Sequence, residues 1–170
     1  MQMLGAGGLP LLCDGARPPD ADNPRGYFEY APVKRTARDP GWVAGATGRA
    51  VKVVHALLRF LPPEREYRVL LARRRIAEVL RSQERMLARR GRHPQPLAPE
   101  RLAAVLARQL EEAEAWMAAQ AGWRVLRIDF GALVADPPEA ARAIDLFLGG
   151  GLERAAMAAA VDPALHRERA

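Results

Sequence analysis

The sequence predicts an α/β fold around a mainly parallel sheet, on the strength of two observations. Short apolar runs bounded by chain-breaking residues are typical of buried strands, and amphipathic helical patterns lie between and after these runs. The four runs span 9–13, 50–55, 67–72 and 123–129. Because strands alternate with helices, we expect a parallel sheet with ligands at the carboxyl ends of its strands.

The composition is that of one globular domain over 1–170, with 49% hydrophobic and 27% charged residues. These values exclude a wholly disordered, collagen-like or coiled-coil chain. No apolar run reaches the roughly 20 residues of a membrane span, and the first residues lack the features of a secretory signal. The single cysteine, Cys13, cannot form an internal disulfide, so we expect a reducing compartment and a cytoplasmic location.

The net charge is +6, from 26 basic and 20 acidic side chains. Only Lys34 and Lys52 are lysines, and this arginine bias is more typical of genomic base composition than of a binding surface. The arginines are spread over the whole length, and aromatic residues make up only 6% of the chain. We therefore do not expect nucleic-acid binding, although a small basic nucleic-acid binder stays an alternative, with strongly salt-dependent affinity for arbitrary DNA.

Helix boundaries follow from capping residues and breakers. Proline suits the first turn of a helix, and glycine suits the position just past its end. A proline-rich stretch at 91–100 excludes regular helix and predicts a surface connection within the domain. The predicted helices start at Ile76, run from Pro99 to about Ala121 and from Pro138 to Leu148, and cover 152–160.

The strongest candidate site lies where the third apolar run meets the helix after it. Three consecutive arginines, Arg73, Arg74 and Arg75, occupy the turn. Guanidinium groups beside a helix amino terminus favour an anion, because the terminal N–H groups have no partner within the helix. Ser82 follows Arg74 by eight residues and would donate a second hydrogen bond to the anion. The same pattern also fits a solvated turn with ordinary helix-surface charges.

The strand, the arginine and the serine at this spacing resemble the 3′-phosphate-binding segment of sulfotransferases that use 3′-phosphoadenosine 5′-phosphosulfate (PAPS), with Arg74 and Ser82 at the matching positions. The stretch 6–34 resembles the region after the first helix in bacterial members, where an NP-x-GY-[FW]-E segment recurs. Residues 125–149 resemble their Y-E-D-L…D-P…FLG element. The resemblance implies a three-layer α/β/α, P-loop NTPase-like fold.

The resemblance also implies an activity. A sulfuryl group would pass from PAPS to a hydroxyl or amine of a small-molecule or glycan acceptor, without a metal. Arg74 and Ser82, with the neighbouring Arg73, would bind the co-substrate. The alternative of the same fold is an inactive relic or nucleotide-binding module.

The family's phosphosulfate loop, of the form G-x-P-R-S-G-[TS]-[ST], is not found in this sequence. Residues 1–4 look like the end of the helix that follows that loop, with Gly5, Gly7 and Gly8 as a helix stop. We therefore expect an N-terminally truncated fold that begins just after the loop. Sulfuryl transfer, like phosphoryl transfer, depends on preorganised donors, so transfer by this chain is expected to be very slow or absent.

Two residues are candidates for the general base. His55 ends the predicted strand at 50–55, and a near-neutral imidazole suits proton abstraction; it would otherwise be a strand-end histidine with no proton role. Glu29 lies in the NPRGYFE segment, and a carboxylate serves as base in some branches of the family. Its other interpretation is a charge that pairs with Arg25 or caps a loop.

A P-loop kinase is a further alternative. Kinase chemistry needs Mg²⁺ and usually an aspartate at the end of a strand. Asp129 ends the predicted strand at 123–129. A magnesium-dependent ATPase signal would favour this interpretation.

Overall fold

The computed structural model describes residues 1–21, 23–89, 91 and 98–165 and shows a mixed α/β fold with a small parallel sheet. The predicted α/β class is thereby confirmed. Short 3₁₀ helices lie at Ala31–Arg35, Gly41–Ala46, His55–Phe60 and Pro163–Leu165. The α-helices and strands, in chain order, are α1 (Gln2–Ala6), β1 (Tyr67–Arg73), α2 (Ile76–Arg89), α3 (Pro99–Ala118), β2 (Trp123–Asp129), α4 (Phe130–Ala135), α5 (Pro137–Leu148) and α6 (Arg154–Ala159).

The sheet consists of β1 and β2, which pair in parallel from Tyr67 opposite Trp123 to Arg73 opposite Asp129. Two parallel strands cannot be joined by a tight turn, so the chain crosses between them through α2 and α3. The predictions of strands at 67–72 and 123–129 are confirmed.

The other two predicted strands, at 9–13 and 50–55, are wrong. These segments meet at one isolated parallel bridge, between Leu11 and Ala50, and do not join the sheet. His55 begins a 3₁₀ helix and does not end a strand. An apolar run becomes a strand only where a neighbouring backbone satisfies its N–H and C=O groups along its length, and these runs find such a partner at a single position.

The predicted helices are confirmed with shifted ends. The third begins at Pro137, because the Asp136 carboxylate accepts a hydrogen bond from the Glu139 N–H and so caps it. It ends at Leu148 and is followed by Gly149, which has a φ of 107°. Glycine adopts this left-handed conformation without the steric clash that a side chain would cause. The helix α4 was not predicted; it begins directly after β2 and is capped by Asp129.

The connection between α2 and α3 is only partly described. Pro99 occupies the first turn of α3, as predicted. Residues 92–97 of the predicted proline-rich connection lie outside the described residues. α3 has 20 residues, about the length of a membrane span. Across the described ranges, however, no helix combines the length and the apolar character needed to cross a membrane.

Side chains of the two strands alternate between two hydrophobic cores, one on each face of the sheet. Because helices cover both faces, the strands are apolar on both sides, as is usual for parallel sheets. The first core contains Val69, Leu71, Trp123 and Val125 from the strands, with Val43, Leu58, Leu61 and Met117. The second contains Leu70, Leu126 and Ile128 from the strands, with Met3, Leu4, Ala141, Ile144 and Met157 from α1, α5 and α6.

A buried carboxylate ties α5 to α6 at the edge of the second core. Asp145 accepts hydrogen bonds from the Leu152 N–H at 2.9 Å and from the Arg154 Nε–H at 2.5 Å. These hydrogen bonds, led by the one from the Leu152 backbone, lower the pKa of Asp145. The side chain therefore stays ionised and fixes the turn around Gly149.

Candidate functional site

The parallel pairing brings the carboxyl ends of β1 and β2 together. Arg73 lies opposite Asp129 in the register. Arg74 and Phe130 follow these two residues directly, so side chains more than fifty positions apart in the sequence meet at one edge of the sheet. Parallel sheets bind ligands at this edge.

Arg73 forms an ion pair with Glu114 of α3. The Glu114 carboxylate also accepts a hydrogen bond from the Arg127 Nε–H of β2 at 2.7 Å. One mostly buried carboxylate therefore connects α3 to both strands. The proposed phosphate ligand Arg73 already has an anionic partner, and a phosphate there would compete with Glu114.

Arg74 is held by two contacts. Its Nε–H donates to Oε2 of Glu78, the acidic residue in the first turn of α2, at 2.9 Å. Its guanidinium carbon lies 5.1 Å from the centroid of the Phe130 ring, a cation–π distance. Among the contacts that the structure describes, neither terminal nitrogen of Arg74 has a hydrogen-bond partner. Arg74 can therefore still donate to an anion.

Ser82 is partly buried on α2, one helical turn beyond Glu78. Residues four apart share a helix face, so Glu78 and Ser82 lie on one face of α2, whereas Arg74 precedes the helix. An anion held by Arg74 and Ser82 would have to meet the terminal nitrogens of Arg74, since the Nε–H is engaged. Glu78 was not predicted, although its spacing from Arg74 was visible in the sequence.

Glu29 forms ion pairs with Arg17 at 3.2 Å and with Lys34 at 3.1 Å. The expected pairing with Arg25 is wrong, because Arg25 contacts Asp162 and the carbonyl of Ala160 instead. The segment that carries Glu29 turns back against residues 14–17, which places Arg17 beside it.

The surroundings of Glu29 weaken it as a base. Partial burial acts to raise the pKa of Glu29, but hydrogen bonds from Lys34 and Arg17, with the charges of Lys34 and Lys52, outweigh it and lower the pKa below its ordinary value of 4.5. A carboxylate with a lowered pKa takes up a proton less readily. Of the two predicted bases, Glu29 is therefore the less suited.

The aromatic ring beside Glu29 is also enclosed by cations. The Arg17 guanidinium carbon lies 3.2 Å from the centroid of the buried Tyr27 ring. Lys52 donates to the Tyr27 carbonyl at 3.1 Å. Phe28, between Tyr27 and Glu29, has a φ of 50°, which costs energy in a residue other than glycine. This cluster is a packed element of its own, and no described contact joins it to Arg74.

His55 lies at the start of a 3₁₀ helix, with its Nε2 3.3 Å from Oε1 of Gln109 on α3. The contact leaves the imidazole accessible, because both groups are at the surface. The structure thus places His55, Glu29 and Arg74 in three separate sets of contacts. The role of His55 as a base stays a prediction.

Asp129, the last residue of β2, is the N-cap of α4. Its Oδ1 accepts a hydrogen bond from the Ala132 N–H at 2.7 Å and caps α4. Within the described ranges, no three His, Cys, Asp or Glu side chains are grouped so that they could hold a metal ion.

The ion pairs of Glu29 predict a pH dependence. A carboxylate with a lowered pKa in the folded chain stabilises the fold fully above its unfolded pKa, near 4.5, and this stabilisation is lost as the pH falls through the folded value. We expect the carboxyl ¹³C signal of Glu29 to titrate below the ordinary glutamate value of 4.5. A titration midpoint at or above that value would contradict the assigned ion pairs.

Similarity to known proteins gives no further guide. The chain matches no model of a known protein family, no curated protein and no solved structure.

Proposed function

We propose that the chain is a sulfotransferase-like protein that binds the 3′-phosphate of PAPS through Arg74. The observation that carries the proposal is the position of Arg74. It follows a parallel strand directly, next to the amino terminus of α2, and among the described contacts its terminal nitrogens have no hydrogen-bond partner. Bidentate donation from a guanidinium suits a phosphate group, and the helix amino terminus favours the same negative charge.

The fold also supports this proposal. Parallel strands joined by helices, with helices on both faces, are what a P-loop NTPase-like α/β/α arrangement requires. The parallel bridge between Leu11 and Ala50 brings the other two apolar runs side by side in the same sense. The short helix α1 ends at Ala6 and is followed by Gly7, as expected of a helix stop, whereas Gly5 lies inside the helix and its predicted part in the stop is wrong.

In the proposed reaction, the sulfur–oxygen bond to the leaving phosphate breaks as a bond forms between the sulfur and the acceptor oxygen or nitrogen. The proton of the acceptor passes to a general base. His55 suits this role better than Glu29, because the ion pairs of Glu29 lower its affinity for a proton. The positive charge that neutralises the phosphosulfate would come from arginine and lysine, not from a metal.

A nucleotide-binding module without transfer activity is the second candidate. It is favoured because the two candidate bases have contacts of their own, away from Arg74. Glu29 contacts Arg17 and Lys34, and His55 contacts Gln109. Neither candidate base has a described contact with Arg74. In this alternative the phosphate site is retained, and no group is placed to activate an acceptor.

The proposal is tested by calorimetric titration with 3′-phosphoadenosine 5′-phosphate (PAP) and, as the matched ligand, adenosine 5′-phosphate, which lacks the 3′-phosphate. We expect PAP to bind at least about tenfold more tightly, because charge-assisted hydrogen bonds to the extra phosphate are formed only by PAP. Equal affinities, or no binding of PAP, would refute the 3′-phosphate site. Transfer from radiolabelled PAPS to a panel of hydroxyl and amine acceptors then separates an enzyme from a binding module.

A further inference from the structure

We propose that Glu78 and Phe130 are positioning residues, which hold the Arg74 guanidinium so that its two terminal nitrogens are presented to an anion at the carboxyl end of β1. The identity of the anion rests on the proposed function. The positioning itself does not, because it concerns contacts within the protein.

Glu78 determines which edge of the guanidinium is engaged. An arginine has five N–H donors in a fixed plane, and Glu78 accepts from the one on Nε. The four remaining donors lie on the terminal nitrogens, and a pair of these donors can form two parallel hydrogen bonds to a phosphate. The Glu78 side chain is buried in the first turn of α2, so the acceptor itself has little freedom.

Phe130 holds the plane of the guanidinium. Its ring lies 5.1 Å from the guanidinium carbon, on the β2 side of the sheet end. The backbone that carries Phe130 is fixed in turn, because Asp129 caps α4 through the Ala132 N–H. Arg74 is thus held by Glu78 of α2 and by Phe130, the first residue of α4, and the pairing of the two strands sets the geometry.

Two other arginines show what is particular to Arg74. Arg108 makes the same contact four residues along a helix, from Nε to Glu112 at 2.7 Å, but its side chain is 80% exposed against 25% for Arg74. Arg73 is engaged by Glu114 through a terminal nitrogen. Arg74 therefore differs from both in combining an engaged Nε, a ring contact and terminal nitrogens with no hydrogen-bond partner in the described part of the chain.

The ordering of Arg74 is tested by ¹⁵N NMR of the arginine Nε–H groups. We expect slow hydrogen exchange and a ring-current shift for Arg74. Glu78→Ala should speed the exchange about tenfold or more, whereas Glu78→Gln, which keeps an acceptor oxygen, should largely restore it. Phe130→Leu should remove the ring-current shift.

The matched control is Glu112→Ala, which breaks the ion pair between Arg108 and Glu112 and should leave the Arg74 signal unchanged. An Arg74 signal that neither Glu78→Ala nor Phe130→Leu alters would overturn the proposal.

The consequence for binding is measured by PAP titration of the same variants. Losing an orienting hydrogen bond should weaken PAP binding about fivefold in Glu78→Ala, with affinity recovered to within about twofold in Glu78→Gln. Tighter binding by Glu78→Ala would overturn the proposal and make Glu78 a competitor of the phosphate. If Glu78→Ala does not fold, as judged by circular dichroism, the same PAP titration is made on Phe130→Leu. We expect that variant to bind PAP about threefold more weakly than the unaltered protein.

The two proposals fail in different ways. If the unaltered protein does not bind PAP, the proposed function is wrong, while the NMR signals of Arg74 still decide whether Glu78 and Phe130 position it. If PAP binds but Arg74 is disordered in the unaltered protein, the positioning role is wrong and the phosphate site stands.

Discussion

Arg74→Ala is expected to weaken PAP binding about a hundredfold, whereas Arg73→Ala should change it by less than about threefold. Hydrogen bonds to charged groups contribute roughly 1.5–3 kcal/mol each, and a bidentate contact provides two of them. Arg74 has both terminal nitrogens available among the described contacts, but Arg73 is already paired with Glu114. The two neighbouring arginines are therefore expected to behave very differently.

Calorimetric titration of both variants provides the measurement, with Arg73→Ala as the matched control for loss of one positive charge. If general electrostatic attraction held the ligand, both substitutions would weaken binding equally, and raising the salt concentration would strongly weaken binding by the unaltered protein. Thermal unfolding of Arg73→Ala should show only a small loss of stability, since its ion pair with Glu114 is partly exposed and Arg127 still contacts the carboxylate. Equal losses of affinity in the two variants would contradict the assignment of Arg74.

The elements that could be predicted are those whose sequence signal and tertiary environment agree. The runs at 67–72 and 123–129 carry apolar residues on both faces because helices cover both faces of the sheet. The runs at 9–13 and 50–55 carry the same local signal but find a backbone partner only at Leu11 and Ala50. An apolar run does not show whether another segment will pair with it, so local pattern alone predicts too many strands.

In the candidate site, too, some features follow from local sequence and others depend on tertiary packing. The position of Arg74 at the junction of a strand and a helix follows from local pattern, and so does the spacing of Glu78 four residues later. The contacts with Phe130 and Glu114 depend on the register of the strands and on the packing of α3. The ion pairs of Glu29 likewise depend on the path of the segment before it, which has no periodic signal.

Trp123→Ala is expected to lower the free energy of unfolding by about 3–5 kcal/mol, a large share of the 5–15 kcal/mol typical of a folded domain. Trp123 begins β2 and is buried in the first core. Its ring lies 4.5 Å from that of Tyr67 on β1 and 5.0 Å from that of Trp116 on α3, measured between centroids. Removing it leaves a cavity at the contact between the sheet and α3. Urea unfolding followed by far-ultraviolet circular dichroism measures the loss.

Trp123→Phe is the matched control, and it separates ring packing from hydrogen bonding. The indole Nε1–H is buried and has no hydrogen-bond partner among the described residues, so the tryptophan carries the cost of an unsatisfied donor. Phenylalanine keeps an aromatic ring between Tyr67 and Trp116 and removes that donor. We therefore expect it to lose less than about half of what alanine loses. Equal losses in the two variants would mean that the volume of the indole, and not the aromatic contacts, holds β2 against α3.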